Sequence, residues 1–504
     1  MSAKSDRRKF LLGGTALAGG LTAGAWGQEQ SPAHHGHDGP VGGANDRGKL
    51  TPGRRTPGQP PVPVETPDGS KLPWKMVGGV KEFHLHARHT RREFLPDMWF
   101  DVWGYNGDMP GPTVEAVEGD RVRFVVHNEL PESTTVHWHG LEVPNRMDGV
   151  HGLNQEPIKP GATFAYEFTL HQNGTFFYHS HGPMQEGIGM AGLFIIHPRT
   201  AHEPLVDKDF ALLIQEWAIL PQCTVPNTMS MEFNFFTLNG RSAPYVTPLV
   251  VRLGDRVRIR FVNMSPIDHH PMHLHGHTFW VTGTEGGRVP ETAWVPGNNV
   301  LVGVAQARDV EFVANNPGDW MIHCHMFHHM MNHMTSMVGQ MGHGMPAGGD
   351  MANSMGMITR GPALSPEHGP HLGRGTGEQT GTEREVRNGS PLGRRETDPG
   401  YRVPGYPQDM MDMHGMYPPG HVAKFNKPEM RGMRRNWYAG VEGLMTMLRV
   451  LPPELYDKVA SGKGEVEPGA SVPGAGPGEM PGMSGHHMPG HDKPKMPDHG
   501  ANKK

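Results

Sequence analysis

Two stretches of this chain are copies of one another, and a duplicated strand pair leaves few folds open. Residues 250–263 line up with residues 114–127. Both copies hold Gly-Asp-Arg-Val-Arg, at 119–123 and 254–258, with alternating apolar and polar residues on either side. Alternation of period two is the mark of a half-buried strand, and the Gly-Asp marks the turn between two of them. The repeat therefore predicts two related β-domains, over 79–200 and 206–342. Further alternating runs at 163–168 and 192–196, separated by Gly- and Pro-rich turns, predict short antiparallel strands closed into Greek-key sandwiches.

The rest of the chain reads differently. Gly and Pro number 69 and 48 in 504 residues and hydrophobic content is 36%, too little to pack the whole length as globule. Residues 28–78 read as a disordered linker, and 343–504 as a Met-, His-, Gly- and Pro-rich tail, mostly disordered. Within the tail, Trp437, Tyr438, Val441, Leu444, Met445 and Leu448 recur at helical spacing, which predicts a short helical element within 434–460, with a second short helix over 453–460. At the other end, Arg7-Arg8-Lys9-Phe10-Leu11 precedes a short Gly/Ala/Leu run. This resembles a twin-arginine export signal over 1–27, which places the protein in the periplasm or another extracytoplasmic space. No stretch is apolar over a membrane-spanning length. A net charge of −5 argues against a partner bound through phosphates, so no nucleic acid is expected. Two cysteines exclude a disulfide framework, and Cys223 reads as a buried free thiol.

Histidine and methionine, 34 of each, are the residues in excess, and both are copper-compatible ligands. The histidines concentrate in four motifs: His137-Trp138-His139, His179-Ser180-His181, His270-Pro271-Met272-His273-Leu274-His275 and His323-Cys324-His325. Histidines two apart on a strand share a face, about 6.5–7 Å apart by strand rise, so a pair can serve one metal cluster. The residue between points the other way, so one short strand can aim Cys324 at one metal and His323 and His325 at another. His329 follows Cys324 by five residues and Met334 by ten. Two imidazoles, a thiolate and a weak thioether make a trigonal copper site for electron transfer, whereas zinc prefers four comparable ligands. His84, His86 and His89 alternate too but have no partner motif and read as solvated strand residues; His269 and His328 are set aside on spacing.

Together the four motifs resemble those of the multicopper oxidases, the group of laccase, ascorbate oxidase and cuprous oxidase, over about 79–340. The resemblance implies two cupredoxin-like domains and four coppers per functional unit. His270, Cys324, His329 and Met334 resemble the type 1 ligands, His137 and His273 the type 2 ligands, and His139, His179, His181, His275, His323 and His325 the ligands of the type 3 pair. Electrons would enter at type 1 copper, pass through Cys324 and its flanking histidines, and reduce dioxygen to water. Between His181 and His270 there is no room for a third domain. Ser180 stands where the first domain would need a cysteine, Gln185 where it would need a histidine, while Met190 keeps the thioether position. This resembles two-domain laccases with type 1 copper in the second domain, which implies a homotrimer whose clusters lie between the first domain of one chain and the second of the next.

Asp148 stands in the segment after His137-Trp138-His139, where an acid in the family helps deliver protons; a plain Asp-Gly turn is the competing reading. The acid that several relatives carry beside the second type 1 histidine is Met330 here. Met272, Met326, Met330, Met331 and Met337 crowd the type 1 loops, with Met341, Met345, Met351, Met355 and Met357 beyond, and thioethers select Cu(I). The expected activity is therefore oxidation of a small one-electron donor, a phenol or Cu(I), by dioxygen. A copper resistance or storage protein without turnover and a copper nitrite reductase are the alternatives.

Overall fold

The computed structural model describes residues 53–219, 223–231, 233–331 and 419–471. The twin-arginine stretch, Met334, Met337 and the methionines at 341–357 lie outside the described residues. The first domain is built from β1 (Trp74–Val77), β2 (Val80–Leu95), β3 (Met98–Tyr105), β4 (Gly111–Val117), β5 (Arg121–Asn128), β6 (Val136–His139), β7 (Thr163–Thr169), β8 (Gly174–Ser180), the short helix α1 (Pro183–Gly187) and β9 (Ala191–His197). The second contains β10 (Lys208–Trp217), β11 (Phe235–Leu238), β12 (Leu249–Arg252), β13 (Arg256–Asn263), β14 (His270–Leu274), β15 (Phe279–Thr284), β16 (Gly287–Arg288), β17 (Val295–Gly297), β18 (Asn299–Val302), β19 (Ala307–Val313) and β20 (Gly318–Cys324). After residue 418 come α2 (Pro419–Phe425), β21 (Met445–Leu451) and α3 (Pro453–Ser461).

Each domain is a two-sheet sandwich. In the first, the sheet β1-β2-β5-β7, with β3 also on β2, faces β4-β9-β8-β6 across a core of Phe83, Phe124, Trp138, Tyr166, Tyr178 and Phe194. In the second, β11-β10-β13-β19-β15-β16 faces β12-β21-β20-β14-β18. The all-β sandwiches expected from the repeat, cupredoxin-like as the family resemblance implies, are the fold observed. The repeat also does the same local work twice. Gly119 and Gly254 take φ of +87° and +90°, which a side chain disfavours, and Asp120 and Asp255 each accept the backbone N–H three residues back, from Val117 and Arg252, at 2.8 and 2.9 Å.

Two sequence expectations are corrected. The linker expected over 28–78 is ordered from residue 53 on. Val64 is fully buried between the domains, Glu65 N–H donates to Asp209 O at 2.8 Å, and β1 pairs with β2. A composition reading cannot see that one Val and one Leu, Leu72, dock into gaps left by other elements. The second correction concerns the tail. The helical spacing at 436–451 resolves into a 3-10 turn at Trp437–Gly440 and the strand β21, and β21 lies inside the second domain's sheet, parallel to β12 and antiparallel to β20. Every residue of β21 is buried, so period-two alternation is lost and the apolar positions mimic a helix. The second domain is therefore not contained in 206–342.

The domains are joined by charge as well as by apolar contact. Phe177, Leu193 and Ile195 pack on Leu213, Val262 and Met264. Beside them, Arg260 pairs with Asp209 at 2.8 Å and donates to Thr175 Oγ1 at 2.6 Å, and Thr175 donates to Asp309 at 2.6 Å. Fully buried Glu311 takes Arg256, Arg258 and Arg288 at 2.6, 2.8 and 2.7 Å. Burial works to raise the Glu311 carboxyl, but Arg258, Arg288 and Arg256 outweigh it and hold the group well below the ordinary carboxylate range.

Two outcomes follow from this architecture. Truncation after residue 418 removes an interior strand and the buried Leu444, Leu448, Val450 and Leu451, each worth about 1.5–3 kcal/mol. The second domain should then fail to fold, judged by thermal melting, and a peptide of 419–471 added during refolding should restore it. Because the Glu311 carboxyl is depressed in the folded state, its contribution is full above the unfolded value of about 4.5 and is lost as pH falls below it. Glu311→Gln should cost about 3–5 kcal/mol at neutral pH and should flatten the loss of stability between about pH 5 and 2 in urea titrations.

Candidate metal centre

Strand β20 organises the chemistry. It pairs antiparallel with β14, Met272 opposite Cys324 and His273 opposite His323. Alternation turns Cys324 into the core, fully buried, and His323 to the other face, with His325 following it there, exposed. Behind Cys324 lie His270, fully buried, and His329 at 2% exposure. Cys324 Sγ is 3.7 Å from His270 Nδ1 and 3.6 Å from His329 Nδ1, and the two nitrogens are 3.2 Å apart. A point roughly 2 Å from all three atoms exists at the centre of this triangle, the bond length imidazole and thiolate ligands take to copper-sized ions, so the group fits a trigonal copper. The outer nitrogens are held: His270 Nε2 is 2.7 Å from Ser265 Oγ, and His329 Nε2 is 3.4 Å from Asp268 Oδ2, which leaves both Nδ1 lone pairs facing Cys324. Phe236 stacks on His329 at 4.3 Å. Burial, and then the His329 ring, push His270 down to about 3, so it is a neutral ligand. Burial pushes the Cys324 thiol up to about 12; only a bound cation would hold it as thiolate at neutral pH. Glu216, buried and close to Asp268, is pushed up to about 8, so it adds no charge beside His270.

The remaining histidines form two quartets of one design. In the first domain, His137 and His139 of β6 stand beside His179 of β8 and His181, with His137 at 5.3 Å from His179 and 5.6 Å from His181 between ring centres. In the second, His273 and His275 of β14 stand beside His323 and His325, with His273 at 5.5 and 5.6 Å from those two. In each quartet, three ligand atoms lie within 4.8 Å of one another: those of His137, His139 and His179, and those of His273, His275 and His323. Backbone carbonyls set the tautomers. His137 Nδ1 donates to Asp148 O at 2.7 Å, His179 to Ser180 O at 2.9 Å, His273 to Asn298 O at 2.6 Å and His323 to Cys324 O at 2.8 Å. Each turns Nε2 into its quartet, where His323 Nε2 lies 3.0 Å from His275 Nε2 and His179 Nε2 lies 3.4 Å from His139 Nδ1. Burial, with His179 and His137 nearby, lowers His139 to about 4.

Within one chain the quartets lie against opposite sheets of the second domain. The first sits by the β15–β16 turn, where a Cβ at Gly140 would come 3.5 Å from Glu285 O; the second is carried by the sheet containing β14 and β20. Among the described residues, no imidazole of one quartet stacks on or hydrogen-bonds to an imidazole of the other. Both are open at the surface: His181, His275 and His325 are exposed.

The structure adds residues that the sequence reading passed over. Thr134 precedes His137 by three, as His270 precedes His273, and it donates to Gln185 Oε1 at 2.7 Å, as does Ser180 at 2.7 Å. A neutral hydrogen-bonded trio thus fills the first-domain counterpart of the Cys324 group. The matching offset was the available signal. Asp148 Oδ1 is 3.4 Å from His137 Nδ1, and Oδ2 accepts from Asn154 at 3.0 Å, so the Asp-Gly turn and a place beside a ligand histidine are both real. Glu186, next to Gln185, reaches within 3.3 Å of His179 Nδ1; its second-domain counterpart is Met330. His84 and His86 do have a partner, His127 of β5, whose ring stacks on His86 at 4.4 Å and whose Nε2 is 3.1 Å from His84 Nδ1; strand β5 supplies it by parallel pairing, which no local pattern reveals. Cys223 is free and half-buried rather than buried.

Gly149 takes φ +90°, and a Cβ there would overlap the Val136 carbonyl oxygen beside His137. Gly149→Ala should therefore displace Asp148 from His137 and, on copper reconstitution, lower the metal bound at the first-domain quartet while the Cys324-dependent absorption persists; metal analysis and visible spectra read the two sites apart.

Comparison with known proteins fits this geometry. Residues 87–201 and 219–340 each match a multicopper oxidase family profile. The chain is 30% identical over 184 residues to copper resistance protein A of Escherichia coli, covering 35% of this chain and 30% of that one. It is 33% identical over 224 residues to laccase-1 of Cryptococcus neoformans var. grubii, covering 38% and 35%. Thus the chain spans only about a third of the length of these relatives. Among solved structures, the blue copper oxidase from Nitrosomonas europaea aligns with 30% identity and a TM-score of 0.46, over 50% of this chain and 81% of that one.

Proposed function

Because the chain belongs to the multicopper oxidase family, we propose that it oxidises a small one-electron donor and passes the electrons to dioxygen. The observation that carries this reading is the single strand β20, which turns Cys324 to His270 and His329 on one side and His323 to a histidine quartet on the other. Four donor molecules each lose one electron, and dioxygen takes up four electrons and four protons to give two waters. Copper at these groups, one ion at Cys324, one between His137 and His273 and a pair at the other six histidines, would supply the redox couples. The protein supplies the rest. The bonds from Cys324 along the backbone to His323 and His325 are the shortest covalent link between the two kinds of site. Backbone carbonyls fix the ligand tautomers, and Glu186 presses on His179 from outside. Asp148, with one oxygen beside His137 and half-exposed, is placed to bring in protons.

The donor is small, a phenol or Cu(I). Cuprous ion is favoured by Met326, Met330 and Met331, which flank His329 in the type 1 loop, Met326 exposed and the other two half-buried. Export by the twin-arginine route to the periplasm belongs to the same proposal and rests on Arg7 and Arg8. Among the described residues no helix is long and apolar enough to cross a membrane.

Each quartet alone is half of a three-copper cluster, and both are exposed, so the reading includes a homotrimer in which one chain's first-domain quartet meets its neighbour's second-domain quartet. Oxygen uptake with Cu(I) and with a phenol tests the activity; copper binding without uptake would support storage instead. The assembly has its own test. A variant carrying His137→Ala and His139→Ala, co-refolded one to one with Cys324→Ser, should regain about a quarter of wild-type oxygen uptake, since each mixed trimer holds one intact interface. No recovery in verified mixed trimers would mean clusters completed within one chain.

A further inference from the structure

The residue that closes the Cys324 group from the open side is decided by the return of the chain at β21. In both domains the strand with the central residue of the motif pairs antiparallel with a final strand, β8 with β9 and β20 with β21, and that final strand runs parallel to β4 or β12. The residue just before the final strand is held by the same two hydrogen bonds in each domain. Ser180 N–H donates to Met190 O at 3.0 Å, and Met190 N–H to Gln185 O at 3.1 Å. Cys324 N–H donates to Leu444 O at 3.1 Å, and Leu444 N–H to His329 O at 2.8 Å. A glycine with positive φ precedes each, Gly189 at +123° and Gly443 at +61°. A Cβ at Gly443 would overlap the His329 carbonyl oxygen, so the returning segment lies tight on the ligand loop. Bond for bond, Leu444 is the counterpart of Met190.

In the first domain the step from Gln185 to Met190 is short and continuous. In the second the same hydrogen bond joins His329 to Leu444, far along the chain, whereas counting ten residues past Cys324 gives Met334, which lies outside the described residues. Leu444 is fully buried in the core cluster that contains Cys324. Met272, the Cα partner of Cys324 on β14, stands in a lateral position whose first-domain counterpart is Val136, the partner of Ser180.

Resting on the copper reading above, we propose that Leu444 holds the axial position of the type 1 site, so that the His270–Cys324–His329 group is closed by hydrocarbon rather than by a thioether. The two domains then hold complementary halves of the ancestral site. The first keeps the thioether at Met190 and has lost the thiolate and both imidazoles; the second keeps those three and has lost the thioether. A thioether donates weakly to the oxidised ion, and its replacement by a hydrocarbon in a buried setting favours the reduced ion. The site is thereby tuned upward in reduction potential, toward donors that release an electron reluctantly.

The test uses the copper-loaded full chain, with the potential measured by mediated titration of the thiolate absorption. Leu444→Met conserves volume and both backbone bonds, a swap that costs less than about 1.5 kcal/mol. It should lower the potential enough to shift the oxidised-to-reduced ratio at least about tenfold at fixed mediator potential, ~59 mV for one electron. Met334→Leu should leave the potential and the copper hyperfine splitting unchanged. A rise in potential in Met334→Leu, or no change in Leu444→Met, would overturn the assignment while leaving the oxidase reading intact. A wild-type protein without any Cys324-dependent absorption would overturn both.

Discussion

The register between β20 and β14 is the constraint on which the chemistry depends. With His273 opposite His323 and Met272 opposite Cys324, alternation sends the thiol inward to two buried imidazoles and the flanking histidines outward to an open quartet. A slip of one residue in β20 would exchange the two sets, turning His323 and His325 into the buried apolar environment and exposing the thiol. The first domain obeys the same register, His137 opposite His179 and Val136 opposite Ser180, although its inward site has become a hydrogen-bonded Thr134–Ser180–Gln185 trio. Geometry was conserved between the copies where chemistry was not, because strand register is set by the whole hydrophobic face and a ligand is one side chain upon it.

Two further devices hold that register in place. At the domain junction Thr175 of β8, held by Arg260 and Asp309, fixes how the first domain meets the second domain's outer sheet, and within that sheet Glu311 gathers Arg256, Arg258 and Arg288. Removing any one charge would strand the others away from water, so the joint is specific more than it is strong. The second device is β21, which supplies the other neighbour of β20 and, through Leu444, hydrogen-bonds to both Cys324 and His329. The metal group is thus gripped by segments far apart in the sequence.

What was legible in the residues was whatever repeats locally. The Gly-Asp-Arg-Val-Arg copies, the paired histidines and the Cys324–His329 spacing were readable because a turn, a strand face and a ligand loop are decided within a few residues. Thr134 was readable by its offset from His137 but carries no ligand chemistry to draw attention. Glu186, Asp268 and His127 were not readable, since each meets its partner across strands or loops that only the fold brings together. Val64 and Leu72 were hidden by the Gly- and Pro-rich composition around them.

By itself, then, the sequence determined two β-sandwiches and the paired-histidine motifs that make the family resemblance, because period-two patterning and short spacings are properties of the backbone. Only the tertiary structure decided that residues 445–451 are a strand, since a strand buried on both faces has no alternation and its partners, β12 and β20, lie far away in the chain. It likewise decided which residue stands before that strand: a count along the chain arrives at Met334, but hydrogen bonds to Cys324 and His329 select Leu444, because a site is closed by what is adjacent in space.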